Sequence, residues 1–177
     1  MRVFYKDTRA LAVCAMLTAL GVLLGGMLKI PAFLFGGYSV KIGFGVLPVI
    51  LAGVLYGPVY GGCVGALTDF LQAILFPAGA YVPWFTIVGI LFGLIPGLFF
   101  MKGQKPTFPR LLLSIAIGQV IGSVICNSFL LMALYSMPIA VMIPRAINQV
   151  VMIPLYTVLL WVIIPLLRKA KVIHDRG

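Results

Sequence analysis

Charged residues interrupt this chain so rarely that the gaps between them outline its architecture. Five stretches carry no acidic or basic residue: Ala10–Leu28, Ile42–Thr68, Phe70–Met101, Leu111–Pro144 and Ala146–Leu167. A helix that crosses a bilayer needs roughly 20 apolar residues, so several of these stretches are too long for one helix. The stretch from Phe70 carries Pro77, Gly79 and Pro83. These predict a helix ending near Phe76, an outer loop, and a helix starting near Trp84. Tyr56-Gly57-Pro58 is a turn signal inside the second stretch and divides it in two. Leu111 to Ser136 makes a long fifth helix broken by Met137-Pro138, and a sixth runs from Arg145. The pattern thus predicts six helices, near 10–28, 43–56, 58–76, 84–101, 110–136 and 145–168, in a single domain over 1–177.

Composition turns these helices into membrane spans. Of 177 residues, 63% are hydrophobic and 9% charged, and the mean hydropathy is +1.19. No soluble domain of this size hides that much apolar surface, so the fold class is an all-α integral membrane protein, a six-transmembrane-helix bundle. The net charge of +10 does not point to nucleic acid, because the basic residues flank apolar spans. They fit orientation and anionic headgroups instead. With six spans both termini share a side. Arg2, Lys6, Arg9, Lys102, Lys105, Arg110, Arg168, Lys169, Lys171 and Arg176 then lie inside, against Lys29, Lys41 and Arg145 outside. That asymmetry places both termini in the cytoplasm. The first apolar run is too long for a signal-peptide core and reads as a retained helix. Cys14, Cys63 and Cys126 all lie in apolar spans and read as packing residues, with neither a disulfide framework nor a metal site. His174 stands alone in the charged tail.

Glycines recur every four residues as Gly53-Gly57-Gly61-Gly65, Gly89-Gly93-Gly97 and Gly118-Gly122. Each ladder lies on one helical face and lets a neighbouring backbone come close. None is a phosphate-cradling loop. Ala15 and Ala19 make a related small-residue groove on the first helix, suited to a helix of this chain or of another subunit.

Polar residues within the membrane are few. Asp69 lies about eleven residues into the third helix, roughly 16 Å from its cytoplasmic start. An intramembrane carboxylate is costly and marks a functional site by default; the plainer alternative is a pairing with Arg145 or a backbone amide. Arg145 and Asn148 are three apart and share a face. Arg grips a carboxylate bidentately and Asn offers donor and acceptor, although Arg145 at a boundary also suits a lipid-headgroup anchor. The loop Lys29–Lys41, KIPAFLFGGYSVK, suits a cap over a ligand or an interfacial lipid contact. Tyr81, Trp84 and Phe85 belong either to an aromatic belt or to a stacking surface for a flat ring. No nucleophile–base pair or metal cluster is present, which argues against an enzyme.

The runs GFGVLPVILAGVLYGPVYGGCVGALTDFLQ and FPAGAYVPWFTIVGILFGLIPGLFF, with CNSFLLMALY and PRAINQVVMIPLY, resemble the substrate-binding (S) component of energy-coupling factor (ECF) vitamin transporters, and most closely the folate-specific branch. The resemblance covers nearly the whole chain. It implies a multi-pass protein of the bacterial plasma membrane that captures folate outside the cell and has no ATPase of its own. It would dock on a transmembrane coupling subunit and a pair of ATPases. By the same resemblance Ala15 and Ala19 contact the coupling subunit, and Lys29–Lys41 forms a lid. Asp69 would read the aminopterin edge, Phe85, Trp84 or Tyr81 would flank the ring, and Lys29, Lys41, Arg145 and Asn148 would meet the anionic tail. Trp84 departs from the family pattern, which places a small Gly before Phe-Thr, and a bulky indole there would narrow the pocket or replace a stacking partner. An S component for riboflavin or pantothenate, and a stand-alone ion-coupled carrier, are the alternatives. No cofactor is implied.

Overall fold

The computed structural model describes residues 8–27, 29–35, 38–77, 81–101, 106–136 and 142–169. Within them lie helix α1 (Thr8–Met27), strands β1 (Lys29–Phe35) and β2 (Tyr38–Gly43), and helices α2 (Val46–Tyr56), α3 (Pro58–Leu75) and α4 (Pro83–Phe99). Helix α5 covers 108–135 in three segments: α-helical Phe108–Gln119, a π-helical stretch Val120–Asn127, and α-helical Ser128–Tyr135. Helix α6 is Met142–Lys169. Lys102, Lys105, Lys171 and Arg176, which helped to orient the chain, lie outside the described residues, as do Arg2 and Lys6.

Three departures from the expected elements have physical causes. The loop Lys29–Lys41 is an antiparallel hairpin, with Lys29 opposite Gly43 and Phe35 opposite Tyr38. Its register slips between Pro31 and Phe33, where Pro31 has no N–H to give to the ladder. Gly43 therefore ends a strand, and α2 starts at Val46, not at 43. Helix α6 starts three residues before Arg145, because Pro144 falls in its first turn, where a missing N–H costs nothing. Arg145 sits inside the helix instead of opening it.

The helices differ sharply in what surrounds them. Residues 47–54 of α2 are all buried, one after another. A helix that is apolar all round belongs in a core. At 11 residues it rises only about 16 Å, so it does not cross a bilayer core of about 30 Å by itself. By contrast Ala10–Met27, Phe108–Leu134 and Ala146–Leu167 are long and apolar enough to span. They keep Leu11, Met16, Leu113, Val150 and Trp161 exposed, as faces meeting lipid do. One core joins Leu47, Ile50, Leu51 and Val54 of α2 to Leu111 and Ile115 of α5 and to Met152, Tyr156 and Leu160 of α6. A second joins Cys14 of α1 to Val49 and Ala52 of α2 and to Tyr60 and Val64 of α3.

The glycine ladders interlock within the bundle. A Cβ added to Gly61 would lie 2.5 Å from the Gly93 carbonyl oxygen and 2.6 Å from the Gly53 Cα. One on Gly89 would lie 2.9 Å from the Gly65 oxygen, and one on Gly97 2.5 Å from the Pro58 Cα. Helices α2, α3 and α4 thus touch backbone to backbone, as small residues at four-residue spacing allow. Gly57 joins α2 to α3 at φ +94°, a conformation that L side chains rarely adopt.

Gly93→Val drives a side chain into the Gly61 carbonyl, and overpacking of this kind costs about 1–3 kcal/mol or more. It is expected to lower the thermal midpoint of the detergent-purified protein markedly. Gly118→Ala meets Pro96 at an ordinary 3.5 Å and leaves the midpoint nearly unchanged. Fluorescence-detected size-exclusion after heating measures both.

Candidate ligand-binding site

A cavity of about 280 Å³ opens between α1, the start of α2, α3, α4 and the π-helical stretch of α5. It is close to the smaller end of small-molecule pockets, roughly 300 Å³. Its apolar wall is Val46, Val49, Val88, Phe85 and Phe92. Glycines 25, 43, 45, 65 and 89 line it too, so backbone forms much of the surface. Polar groups reach it from two elements: Thr68, Asp69 and Gln72 on α3, and Asn127 on α5.

Asp69 is held by a short chain of hydroxyls. Thr86, on α4, donates to the Asp69 Oδ2 at 2.8 Å, and Tyr81 Oη lies 2.7 Å from the Thr86 Oγ1. The partner of the carboxylate is thus a neutral hydroxyl, and no cation faces it among the described residues. The other oxygen, Oδ1, has no partner among the described hydrogen bonds. The Tyr81 ring packs edge-on against Phe70 with centroids 5.8 Å apart, which fixes the outer end of the chain.

Gln72 is pinned across to α1, its Nε2 donating to the Gly21 carbonyl at 3.1 Å. Side chains at Gly21 and Gly25 would collide with Thr68 and Gln72 respectively, so both glycines of α1 make room for this polar face of α3. On the far side, the Gln149 Nε2 donates to the Ser123 Oγ at 2.7 Å. This ties α6 to the π-helical stretch that carries Asn127, and such stretches are frequent at functional sites. Tyr156 donates its hydroxyl to the Gly43 carbonyl, anchoring the base of the hairpin beside the cavity.

Of the residues singled out in the sequence, Asp69 and Phe85 meet in the cavity. Trp84 does not: it is 58% exposed at the start of α4 and does not line the cavity, so its indole leaves the space unnarrowed. Consecutive helical positions point about 100° apart, and Phe85 takes the inward one. Tyr81 is exposed and acts through Thr86. Asn148 is half-buried on α6, away from the lining, while its neighbour Gln149 makes the inter-helix bond. Lys29 and Lys41 fall on β1 and β2 and Arg145 on the first turns of α6, and their side chains lie outside the described residues. Ala15 and Ala19 are exposed on the same outer face of α1 as Leu11 and Leu23, uncovered by any helix among the described residues. Thr68, Gln72, Thr86 and Asn127 went unremarked in the sequence. The signal for the first two was their four-residue spacing, which puts two polar side chains on one face of an apolar helix.

A bundle of apolar helices around a half-open, partly polar chamber defines a membrane protein that captures a small molecule. The model of the ECF transporter substrate-specific component matches residues 9–164. The chain belongs to this family, and is a multi-pass membrane protein. It is 32% identical over 123 residues to the folate transporter FolT of Clostridium novyi (strain NT), covering 69% of this chain and 71% of that one. It is 25% identical over 155 residues to the folate transporter FolT of Leuconostoc mesenteroides subsp. mesenteroides, covering 84% and 80%. Among solved structures, FolT bound with folic acid superposes with a TM-score of 0.73 at 28% identity, over 86% of this chain and 91% of that one. The S component of a bacterial ECF transporter superposes with a TM-score of 0.63 at 21% identity, over 93% and 99%, a likeness of fold.

Thr86→Val removes the donor between Asp69 and Tyr81 and leaves a half-buried carboxylate without its partner, a cost of about 1–3 kcal/mol. It is expected to lower the thermal midpoint of the ligand-free protein. Tyr81→Phe breaks only the exposed outer link and lowers it less.

Proposed function

We propose that this chain is the folate-capturing subunit of an ATP-driven ECF importer, a single transmembrane domain with both termini cytoplasmic. Two relatives named as folate transporters and a neighbouring fold crystallised with folic acid support the substrate. The observation in this molecule that carries the reading is Asp69. It is a carboxylate in a largely apolar chamber, steadied by Thr86 and with no partner for Oδ1 among the described residues. The pterin of folic acid presents an amino group beside a ring N–H, two donors side by side, and a carboxylate accepts such a pair with both oxygens. An oxygen has two lone-pair sites, so Oδ2 keeps capacity after Thr86. Phe85 and Phe92 offer ring faces to a flat bicycle, worth about 0.5–1.5 kcal/mol each beyond burial. The glutamate tail, too long for the chamber, faces the hairpin and the start of α6, where Lys29, Lys41, Arg145 and Asn148 lie in sequence.

In this reading the chain binds and delivers. It lacks an ATPase of its own, and a transmembrane coupling subunit and two ATPase subunits supply the work. The exposed pair Ala15 and Ala19 is the contact offered to the coupling subunit.

Asp69→Asn keeps the shape but trades an acceptor for a donor. Hydrogen bonds to a charged group contribute about 1.5–3 kcal/mol, so folic acid affinity is expected to fall about 10- to 100-fold. Calorimetric titration of the detergent-purified chain reads this, with riboflavin and pantothenate as competitors. An unchanged affinity, or displacement by either competitor, rejects the reading. Phe85→Ala is expected to weaken binding about tenfold, whereas Trp84→Ala changes it little; the opposite order in the same titration would move the stacking surface to Trp84.

A further inference from the structure

The buried stripe of helix α5 changes step where the helix turns π-helical. Up to that point it keeps α-helical spacing. Leu111, Ile115, Gly118 and Gly122 are buried, three or four residues apart, and a Cβ on Gly122 would come within 2.7 Å of the Phe92 ring that lines the chamber. An α-helix would carry the stripe on to Ile125 or Cys126 and then to Phe129. Ile125 is instead 53% exposed and Phe129 65%, while Asn127 lines the chamber and Ser128 is 1% exposed. The stripe has slipped to a five-residue step, the repeat of i→i+5 hydrogen bonding. In an unbroken α-helix Asn127 would point about 140° away from Gly122, toward lipid, where a polar amide is costly. The π-helical stretch thus delivers one polar side chain to the chamber, and the bond between Gln149 and Ser123 holds the stretch against α6. Other polar atoms nearby are placed differently. Gln119 Nε2, Ser128 Oγ and Gln149 Oε1 have neither a partner nor accessible surface, so they face protein alone. Asn127 is half-buried, and its amide, unpaired among the described residues, is not sealed in.

We propose that Asn127 hydrogen-bonds the pyrazine side of the bound pterin and, by presenting either end of its amide, lets one chamber take both oxidised and reduced rings. The proposal rests on the folate reading above and deepens it. Asp69 takes the amino group and ring N–H at one edge of the bicycle, so a polar group on a different helix meets the atoms that remain. Those are the ring carbonyl and the two pyrazine nitrogens. The nitrogens change character with oxidation state: in folic acid both accept, and in tetrahydrofolate both carry a hydrogen and donate. An asparagine amide holds two donor hydrogens and an acceptor oxygen on one planar group, and half a turn about its last bond exchanges them. It therefore pairs with either form. A fixed donor or a fixed acceptor at this position would leave one form facing an unmatched atom, and unmatched polar atoms in a binding site discriminate strongly.

The test is a titration of the detergent-purified full chain with folic acid and, under anaerobic conditions, with tetrahydrofolate. The wild-type chain is expected to bind the two within about tenfold of each other. Asn127→Leu, similar in volume but without polar atoms, is expected to lose about tenfold for both. If it fails to elute as a single species, Asn127→Ala, which adds no volume, gives the same readout. Asn127→Asp, titrated at about pH 8 to keep the introduced carboxyl ionised, offers acceptors only. A second charge in the chamber of Asp69 weakens both ligands, so the ratio of the two affinities is the readout. It is expected to move about tenfold toward tetrahydrofolate. Unchanged affinities in Asn127→Leu, an unchanged ratio in Asn127→Asp, or a wild-type preference beyond about tenfold overturns the role of Asn127 and leaves the folate reading standing. Absence of folic acid binding to the wild-type chain overturns both.

Discussion

The distance between α3 and α4 is set where their backbones touch, and the polar site takes its geometry from that contact. Gly65 meets Gly89 in the wall of the chamber. Asp69 follows Gly65 by four residues and Thr86 precedes Gly89 by three, so the glycine contact brings carboxylate and hydroxyl to 2.8 Å. A Cβ on Gly89 would sit 3.2 Å from the Asp69 Cβ. A larger residue there disturbs packing and site together. The same helices carry Phe85 and Thr68 to the chamber lining. A ladder that reads as generic membrane packing is thus also the jig for a binding site.

An intramembrane carboxylate with one hydroxyl partner is an incomplete arrangement. In a soluble protein water would finish it; here the remaining wall is glycine backbone, aliphatic side chains, two phenyl rings, and Thr68, Gln72 and Asn127. Among the described residues the second oxygen of Asp69 has no hydrogen-bond partner, which leaves capacity that a polar ligand can use. Pairing of a buried polar group with a ligand is directional. Apolar burial supplies affinity for many flat molecules, whereas the order of donors and acceptors decides among them.

Much of the architecture was legible in the chain because membrane helices advertise themselves. Absence of charge, Pro and Gly breaks, and the four-residue ladders led to six helices and close packing between three of them. The hairpin was harder. Its pattern KIPAFLF-GG-YSVKIG carries a Gly-Gly hairpin signal between aromatic and β-branched runs, but an apolar loop between membrane helices looks alike whether it pairs or not. Within the site, Asp69 stood out by its charge. Thr86 did not, because a lone threonine in an apolar helix gives no sign of where its hydroxyl goes. Trp84 drew attention by size, yet the helix turned Phe85 inward. Which of two adjacent aromatics faces the core depends on helical phase, and the uniform apolarity of α4 hides that phase.

Helix α2 is shorter than the membrane is thick, and this deficit has a use. It rises about 16 Å of a core of about 30 Å, and its first residues, Val46 and Val49, form part of the chamber wall together with Gly45. The missing turns are the chamber. Much of the room comes from the late start of α2, whereas other transporters use discontinuous helices. One helix simply starts late, and the hairpin in front of it bridges the remaining height. The volume offered to a ligand is then fixed by where α2 begins, so lengthening it by a single turn at Gly45 would fill the site from below without altering any residue that touches the ligand.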